Sequence, residues 1–250
     1  MDKYTPKSVL ITGATGDFGK AFAARFYALG CSLVLHGRNQ QKVEELCALY
    51  PGAIGIVFEI TDRDAMEKSL ETLPPIDLLI NNAGLALGLD KAHESDPQDW
   101  ETMIAVNVTA LTRMTRIIGE GMAKRKSGHI INIGSTAGNY PYRGGSVYGA
   151  TKAFVKQFSL GLRADFANEG VRVTNIEPAQ VETQFSAVRF KGDDVKAGKV
   201  YDGTISLKAE DVAESVVWAA TLPPHVNINR LEIMATTQYP AGLAFDRTAK

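Results

Sequence analysis

Cysteine is almost missing from this 250-residue chain. The two present, Cys31 and Cys47, sit outside any metal-ligand spacing, which excludes a disulfide framework and a cysteine-built zinc site and fits a reducing compartment. An excess of charge is missing too. Lys and Arg number 27 against 28 Asp and Glu, a formal net charge of -1, and the interspersed signs leave no electrostatic footprint for nucleic acid or an anionic membrane. Of the four histidines, His93, His129 and His225 have no paired carboxylate and no ligand spacing, so they are read as solvated or core residues and no metal is expected. No apolar run is long enough to span a bilayer, and the first apolar strand is entered by Val9, too early for a signal peptide. The expectation is a cytoplasmic protein whose partner is a small molecule. No internal repeat, low-complexity tract or Pro/Gly/Ser linker divides the chain.

What is present is 45% apolar residues, enough for one sizeable core. Short β-branched runs alternate with amphipathic stretches. Strands are expected at 8–11, 32–35, 54–58, 77–80, 129–133, 171–176 and 231–233, and helices at 18–29, 41–49, 63–73, 97–126 and 147–168. Such alternation predicts an α/β fold with a doubly wound parallel sheet of the Rossmann kind, in a single domain over 1–250. Two irregular stretches, a loop near 183–206 and the tail 235–250, are left for substrate contact.

Two places carry chemistry. Thr12-Gly13-Ala14-Thr15-Gly16-Asp17-Phe18-Gly19 follows the first strand and opens the first helix, where backbone N–H groups and the helix dipole bind a pyrophosphate. Cofactor choice turns on the end of the second strand. His36-Gly37-Arg38-Asn39 offers no carboxylate for a ribose 2'-hydroxyl and one guanidinium for a 2'-phosphate, which favours NADP(H), although Arg38 also reads as a solvated helix-start residue. Tyr148 and Lys152 lie four apart on one helix face, with Ser135 at the end of the strand Ile130-Ile131-Asn132-Ile133-Gly134. A tyrosine exchanges the proton of an alkoxide, a neighbouring cation lowers its pKa, and a serine hydroxyl holds a carbonyl in line.

These residues resemble the short-chain dehydrogenase/reductases over nearly the whole chain. The glycine loop from Thr12, Asn81-Asn82-Ala83-Gly84, Asn107, Ser135, Tyr148, Lys152 and Pro178-Ala179-Gln180-Val181-Glu182-Thr183 look like the family's motifs. The resemblance implies a catalytic tetrad of Asn107, Ser135, Tyr148 and Lys152. It also implies a cofactor site made by Gly13, Thr15, Gly16, Phe18, Gly19, Arg38, Asn39, Glu59, Ile60, Asn82, Ala83, Gly84, Tyr148, Lys152, Pro178, Val181 and Thr183, and a homotetramer. Three positions depart from the pattern: Asp17 stands where a second glycine is usual, Glu59 replaces an aspartate near the adenine, and Ala179 replaces a glycine.

Within the family the chain is most similar to NADP-dependent 3-hydroxy acid dehydrogenases acting on serine and allo-threonine, and to sulfoacetaldehyde reductases. Leu85-Ala86-Leu87-Gly88, Gly149-Ala150-Thr151-Lys152-Ala153-Phe154, Val188-Arg189-Phe190-Lys191-Gly192 and His225-Val226-Asn227-Ile228-Asn229 carry that likeness. Both substrate classes are short anions. Ser135, Tyr148, Arg189, Gln238 and Arg143 are the candidate substrate residues, with Arg189 the first choice for the anion because its fork fits carboxylate and sulfonate. A plain surface arginine is the alternative reading for Arg189 and for Arg143. A catalytically silent NADP-binding sensor stands as a remote alternative, since Asp17 alters the loop.

Overall fold

In the computed structural model, residues 4–242, 244 and 245 are described; the rest of the expected tail, 243 and 246–250, lies outside them. One sheet of seven parallel strands organises the molecule: β1 Ser8–Ile11, β2 Ser32–Gly37, β3 Ile54–Val57, β4 Leu78–Asn81, β5 Gly128–Ile133, β6 Val171–Pro178 and β7 Arg230–Ile233. Its order is β3-β2-β1-β4-β5-β6-β7. The helices are α1 Asp17–Ala28, α2 Gln40–Ala48, α3 Arg63–Glu71, α4 Pro97–Ile104, α5 Leu111–Arg125, α6 Ser146–Asp165, α7 Phe185–Arg189, α8 Asp194–Lys199 and α9 Ala209–Ala220. This is the expected Rossmann-like doubly wound α/β fold.

Strand alternation divides the core between the two faces of the sheet. Val9 and Ile11, Leu78 and Ile80, Ile131 and Ile133 join one apolar cluster with Phe22 and Phe26 of α1 and Val212 and Val216 of α9. Leu10, Leu79 and Ile130 join the other, with Met66 of α3 and Met114, Ile118 and Met122 of α5. A buried polar chain crosses the centre. Asn81 donates to Thr115 Oγ1 and to Asn132 Oδ1, each at 2.8 Å, and Asn132 donates to Ser159 Oγ at 2.9 Å.

Three features differ from the sequence reading. The single helix expected at 97–126 is two helices joined by a π-helical stretch, Ala105–Ala110. The stretch expected to be irregular near 183–206 contains α7 and α8. The helix α9 was not anticipated, although Val212, Ala213, Val216, Val217 and Ala220 make one buried stripe at helical spacing. Its start is closed by Asp211, whose carboxylate accepts from the Lys208 N–H at 2.8 Å. No helix of the described residues is long and apolar enough to cross a membrane.

Candidate active site

The order of strands reverses beside β1, where β4 is added on the side away from β2. Open α/β sheets bind ligands at the carboxyl ends of the strands at such a point. The loops after β1 and β4 meet there. Thr12 Oγ1 accepts from the N–H groups of Asn82 and Ala83, each at 3.0 Å, and Asn82 Nδ2 donates to the carbonyls of Thr12 at 2.9 Å and Gly13 at 3.1 Å. Gly13 has φ +63, and a Cβ there would come within 3.1 Å of the Ala83 Cα, so only glycine meets both demands.

Gly16 is the N-cap of α1 and has no side chain to close it, whereas Asn39, Asp62 and Asp96 cap α2, α3 and α4 by accepting backbone N–H groups. The first-turn donors of α1 are thus left for an anion. A Cβ at Gly16 would meet nothing nearer than the Gly13 carbonyl at 3.5 Å, so the space in front of the loop is open. Gly19 and Thr15 pack inward, against Ala14 and Gly37, and the Phe18 ring lies 6.0 Å from that of Phe22. Arg38, exposed beyond β2, forms an ion pair with Glu59 at 3.7 Å. The Glu59 carboxylate also accepts from the Ile60 N–H at 3.1 Å.

The residues expected to handle the proton converge from several elements. Asn107 sits in the π-helical stretch and is buried; its Oδ1 accepts from the Leu85 N–H at 2.9 Å and its Nδ2 donates to the Leu85 carbonyl at 2.8 Å. π-Bulges recur at functional sites because the extra residue re-aims side chains. Here it clips Asn107 to the loop after β4. Lys152, on α6, donates from Nζ to the Ile133 carbonyl at 2.8 Å, and burial lowers its ammonium to about 8. Gly84 brings this amine and Asn107 Oδ1 together, since a Cβ there would lie 3.6 Å and 3.2 Å from them.

Ser135 lies just past β5, accepting from the Ala137 N–H at 3.1 Å and donating to the Pro178 carbonyl at 3.4 Å. Burial pushes the Tyr148 phenol up to about 12 against the pull of the Arg189 guanidinium and of the Ser135 hydroxyl. The expected cation for Tyr148 was Lys152, whose Nζ is 5.8 Å from the ring centroid. The structure adds Arg189, whose guanidinium carbon is closer, at 5.2 Å.

Arg189 ends α7, and its Nη2 donates to Tyr142 Oη at 2.9 Å. Arg143, one residue along, is exposed. Gln238 is buried, and its amide oxygen accepts from the Gln180 N–H at 3.0 Å, so it braces the strand-end segment. Val181 is bridged to Leu207, and Thr183 Oγ1 accepts from the Phe185 N–H at 3.3 Å.

Several supporting residues were not read from the sequence. Tyr201 Oη donates to the carbonyl of Val181 at 3.1 Å and bonds Ser186 Oγ at 2.6 Å, and Gln180 Nε2 donates to the Val200 carbonyl and Ser206. His36 Nδ1 accepts from the Gly13 N–H at 3.3 Å while Nε2 donates to the Phe58 carbonyl at 3.1 Å, which sets its neutral tautomer. A histidine closing the apolar run Leu33-Val34-Leu35 was the available signal for it.

Comparison with known proteins agrees with this geometry. The short chain dehydrogenase family model matches residues 7–194. The chain is 52% identical over 246 residues to the NADP-dependent 3-hydroxy acid dehydrogenase YdfG of Salmonella typhi, covering 96% of this chain and 99% of that protein. It is 46% identical over 240 residues to the serine 3-dehydrogenase of Agrobacterium fabrum, covering 94% and 96%. Among solved structures, the closed form of a serine dehydrogenase complexed with NADP+ superposes with a TM-score of 0.92 at 52% identity, covering 96% of this chain and 100% of that one. Fold, motifs and relatives coincide: the chain belongs to the short chain dehydrogenase family.

Proposed function

We propose that this chain is an NADP(H)-dependent oxidoreductase that interconverts a short anionic 3-hydroxy acid, of the serine, allo-threonine or 3-hydroxypropionate type, and its oxo form. One observation carries the substrate class: the Arg189 guanidinium is held 5.2 Å from the Tyr148 ring centroid, with its Nε buried and without a partner among the described residues. A cation with a spare donor beside the proton-transfer phenol suits a carboxylate only a few bonds from the reacting carbon. The relatives named above act on 3-hydroxy acids and serine.

The residues fit the cofactor. The uncapped α1 with open space at Gly16 suits a pyrophosphate, Arg38 after β2, exposed and only loosely paired with Glu59, suits a 2'-phosphate, and Asn39, Glu59 and Ile60 would border the adenine end. Asn82, Ala83, Gly84, Pro178, Val181 and Thr183 would hold the nicotinamide end. Bound NADPH supplies the hydride. The chain supplies the rest: Ser135 holds the carbonyl oxygen, Tyr148 gives its proton to the oxygen in reduction and takes it back in oxidation, and Lys152 returns charge to the phenol. Asn107 keeps the loop after β4 in place beside the Lys152 amine.

The substrate enters over the segment 183–206. Exposed apolar residues on α4 and α6, namely Ile104, Phe154 and Leu160, suit burial between copies of a homotetramer working in the cytoplasm. The same Arg189 fork fits a sulfonate, so sulfoacetaldehyde reduction is the second reading. A panel of malonic semialdehyde, sulfoacetaldehyde, neutral short aldehydes and bulky ketones with NADPH, with serine and 3-hydroxypropionate oxidation alongside, tests both. A sharp preference for the carboxylate pair is expected. Preference for sulfoacetaldehyde selects the second reading, and activity confined to neutral or bulky carbonyls removes both.

A further inference from the structure

The Arg189 guanidinium occupies a cage of three rings, with its central carbon 5.2 Å from the centroid of Tyr148, 5.4 Å from that of Phe185 and 5.8 Å from that of Tyr142. Tyr142 also accepts a hydrogen bond from Nη2 at 2.9 Å. Each wall is itself held. The Tyr142 ring fills the space that a side chain at Gly145 would need, and the Phe185 ring tilts at 55° to Tyr148 with centroids 5.8 Å apart. The backbone of Arg189 is tied to the loop after β4 through the Gly88 N–H, which donates to its carbonyl at 3.0 Å. A cation so flanked by aromatic faces is held in place beside the Tyr148 ring.

We propose that Arg189 is a second cation, beside Lys152, that stabilises the Tyr148 phenolate, so that a bound substrate anion and the catalytic proton draw on the same charge. This rests on the reading of Tyr148 as the proton-transfer group and Arg189 as the anion contact. The groups that face Tyr148 are Lys152 on its own helix, Ser135 just past β5, Tyr142 in the loop before α6 and Arg189 on α7. Among the described residues no carboxylate joins them. Lys152 is turned toward the Ile133 carbonyl and burial disfavours its charged form, whereas a guanidinium keeps its charge at any pH the protein meets. The guanidinium carbon, 5.2 Å from the ring centroid, is within about 8 Å of the phenolic oxygen, and at an effective dielectric constant of about 20 one fixed cation at that range shifts a phenol by about one pH unit or more.

A consequence concerns the bound state. In oxidation the alcohol O–H breaks as the Tyr148 O–H forms, so turnover needs the phenolate; a carboxylate seated on Arg189 cancels part of the charge that maintains it. Tyr148 therefore binds its proton more tightly when a 3-hydroxy acid is bound than when a neutral alcohol is.

The test is the pH dependence of NADP-linked oxidation. With 1-propanol, the rising limb of kcat/KM, which reports the enzyme before substrate binds, is expected to move up by about one to two pH units in Arg189→Met and to stay near its wild-type position in Arg189→Lys. NADPH fluorescence checks that both variants are folded. An unmoved limb in a folded Arg189→Met overturns the proposal. The wild type alone supplies a second measurement: with 3-hydroxypropionate the limb of kcat is expected about one pH unit above that of kcat/KM, while with 1-propanol the two coincide. Coincident limbs for both substrates overturn the proposal even if Arg189→Met does not fold. Failure of the anion contact alone reads differently, as an equal rise in KM for the anionic and the neutral substrate in Arg189→Met.

Discussion

Asp17 and Gln184 are joined: the carboxylate that opens α1 accepts a hydrogen bond from the Gln184 N–H at 2.7 Å. The residue at the unusual position of the glycine loop therefore ties that loop to the start of α7, the helix that carries Arg189. Its placement answers why a carboxylate is tolerated where a phosphate is expected, since part of its charge is spent on a backbone N–H.

Asp17→Ala removes this tie. NADPH release, followed by stopped-flow fluorescence, is expected to quicken about fivefold, the scale of one hydrogen bond, while Asp17→Asn, which keeps an acceptor, stays close to wild type. Slower release in Asp17→Ala would show that repulsion of the pyrophosphate outweighs the tie.

Tyr148→Phe deletes one hydroxyl and leaves the ring that packs against Phe185. NADPH affinity is expected to hold while turnover falls by about a hundredfold or more, the usual contribution of a positioned proton donor. Turnover within a few-fold of wild type would remove Tyr148 from the chemistry.

Arg38→Ala should discriminate between cofactors. Losing a charge-assisted contact to the 2'-phosphate is expected to raise the KM for NADPH by about 10- to 100-fold, with little change for NADH. Equal effects on both would reduce Arg38 to the exposed partner of Glu59.

Acid should weaken the fold through His36. Burial holds its imidazole down at about 4, against about 6.5 in an unfolded chain. The unfolded chain thus binds more protons between those values, and stability falls as pH drops from about 6.5 to about 4, then levels off. The difference amounts to about 3 kcal/mol. Urea midpoints of wild type and His36→Gln at about pH 7 and pH 5 check this: the variant should lose less on acidification. It retains part of the loss because His129 is also held neutral by burial.

Much of the architecture was legible because it is local. Short β-branched apolar runs placed all seven strands to within two residues, as with β3 at Ile54–Val57 against an expected 54–58. The glycine loop could be placed because backbone approach admits few residue types. The break in the long helix at Ala105–Ala110 was invisible, since Ala-Val-Asn-Val-Thr-Ala carries no glycine or proline to mark it. What accompanies it is the pair of bonds from Asn107 to Leu85, 22 positions away.

Residue identity along the chain was enough to establish a doubly wound α/β sheet, a phosphate loop and the types of group needed for proton transfer at a carbonyl. These follow from patterns of two to eight neighbouring residues, each set by backbone geometry or side-chain chemistry. The partnership of Arg189 with Tyr142, Tyr148 and Phe185, the Asp17 tie and the His36 tautomer exist only once β1, β4, α6 and α7 are brought together. Charge effects fall off over a few ångströms and depend on what excludes water between the groups, so they are a property of folded distances that no spacing in the sequence encodes.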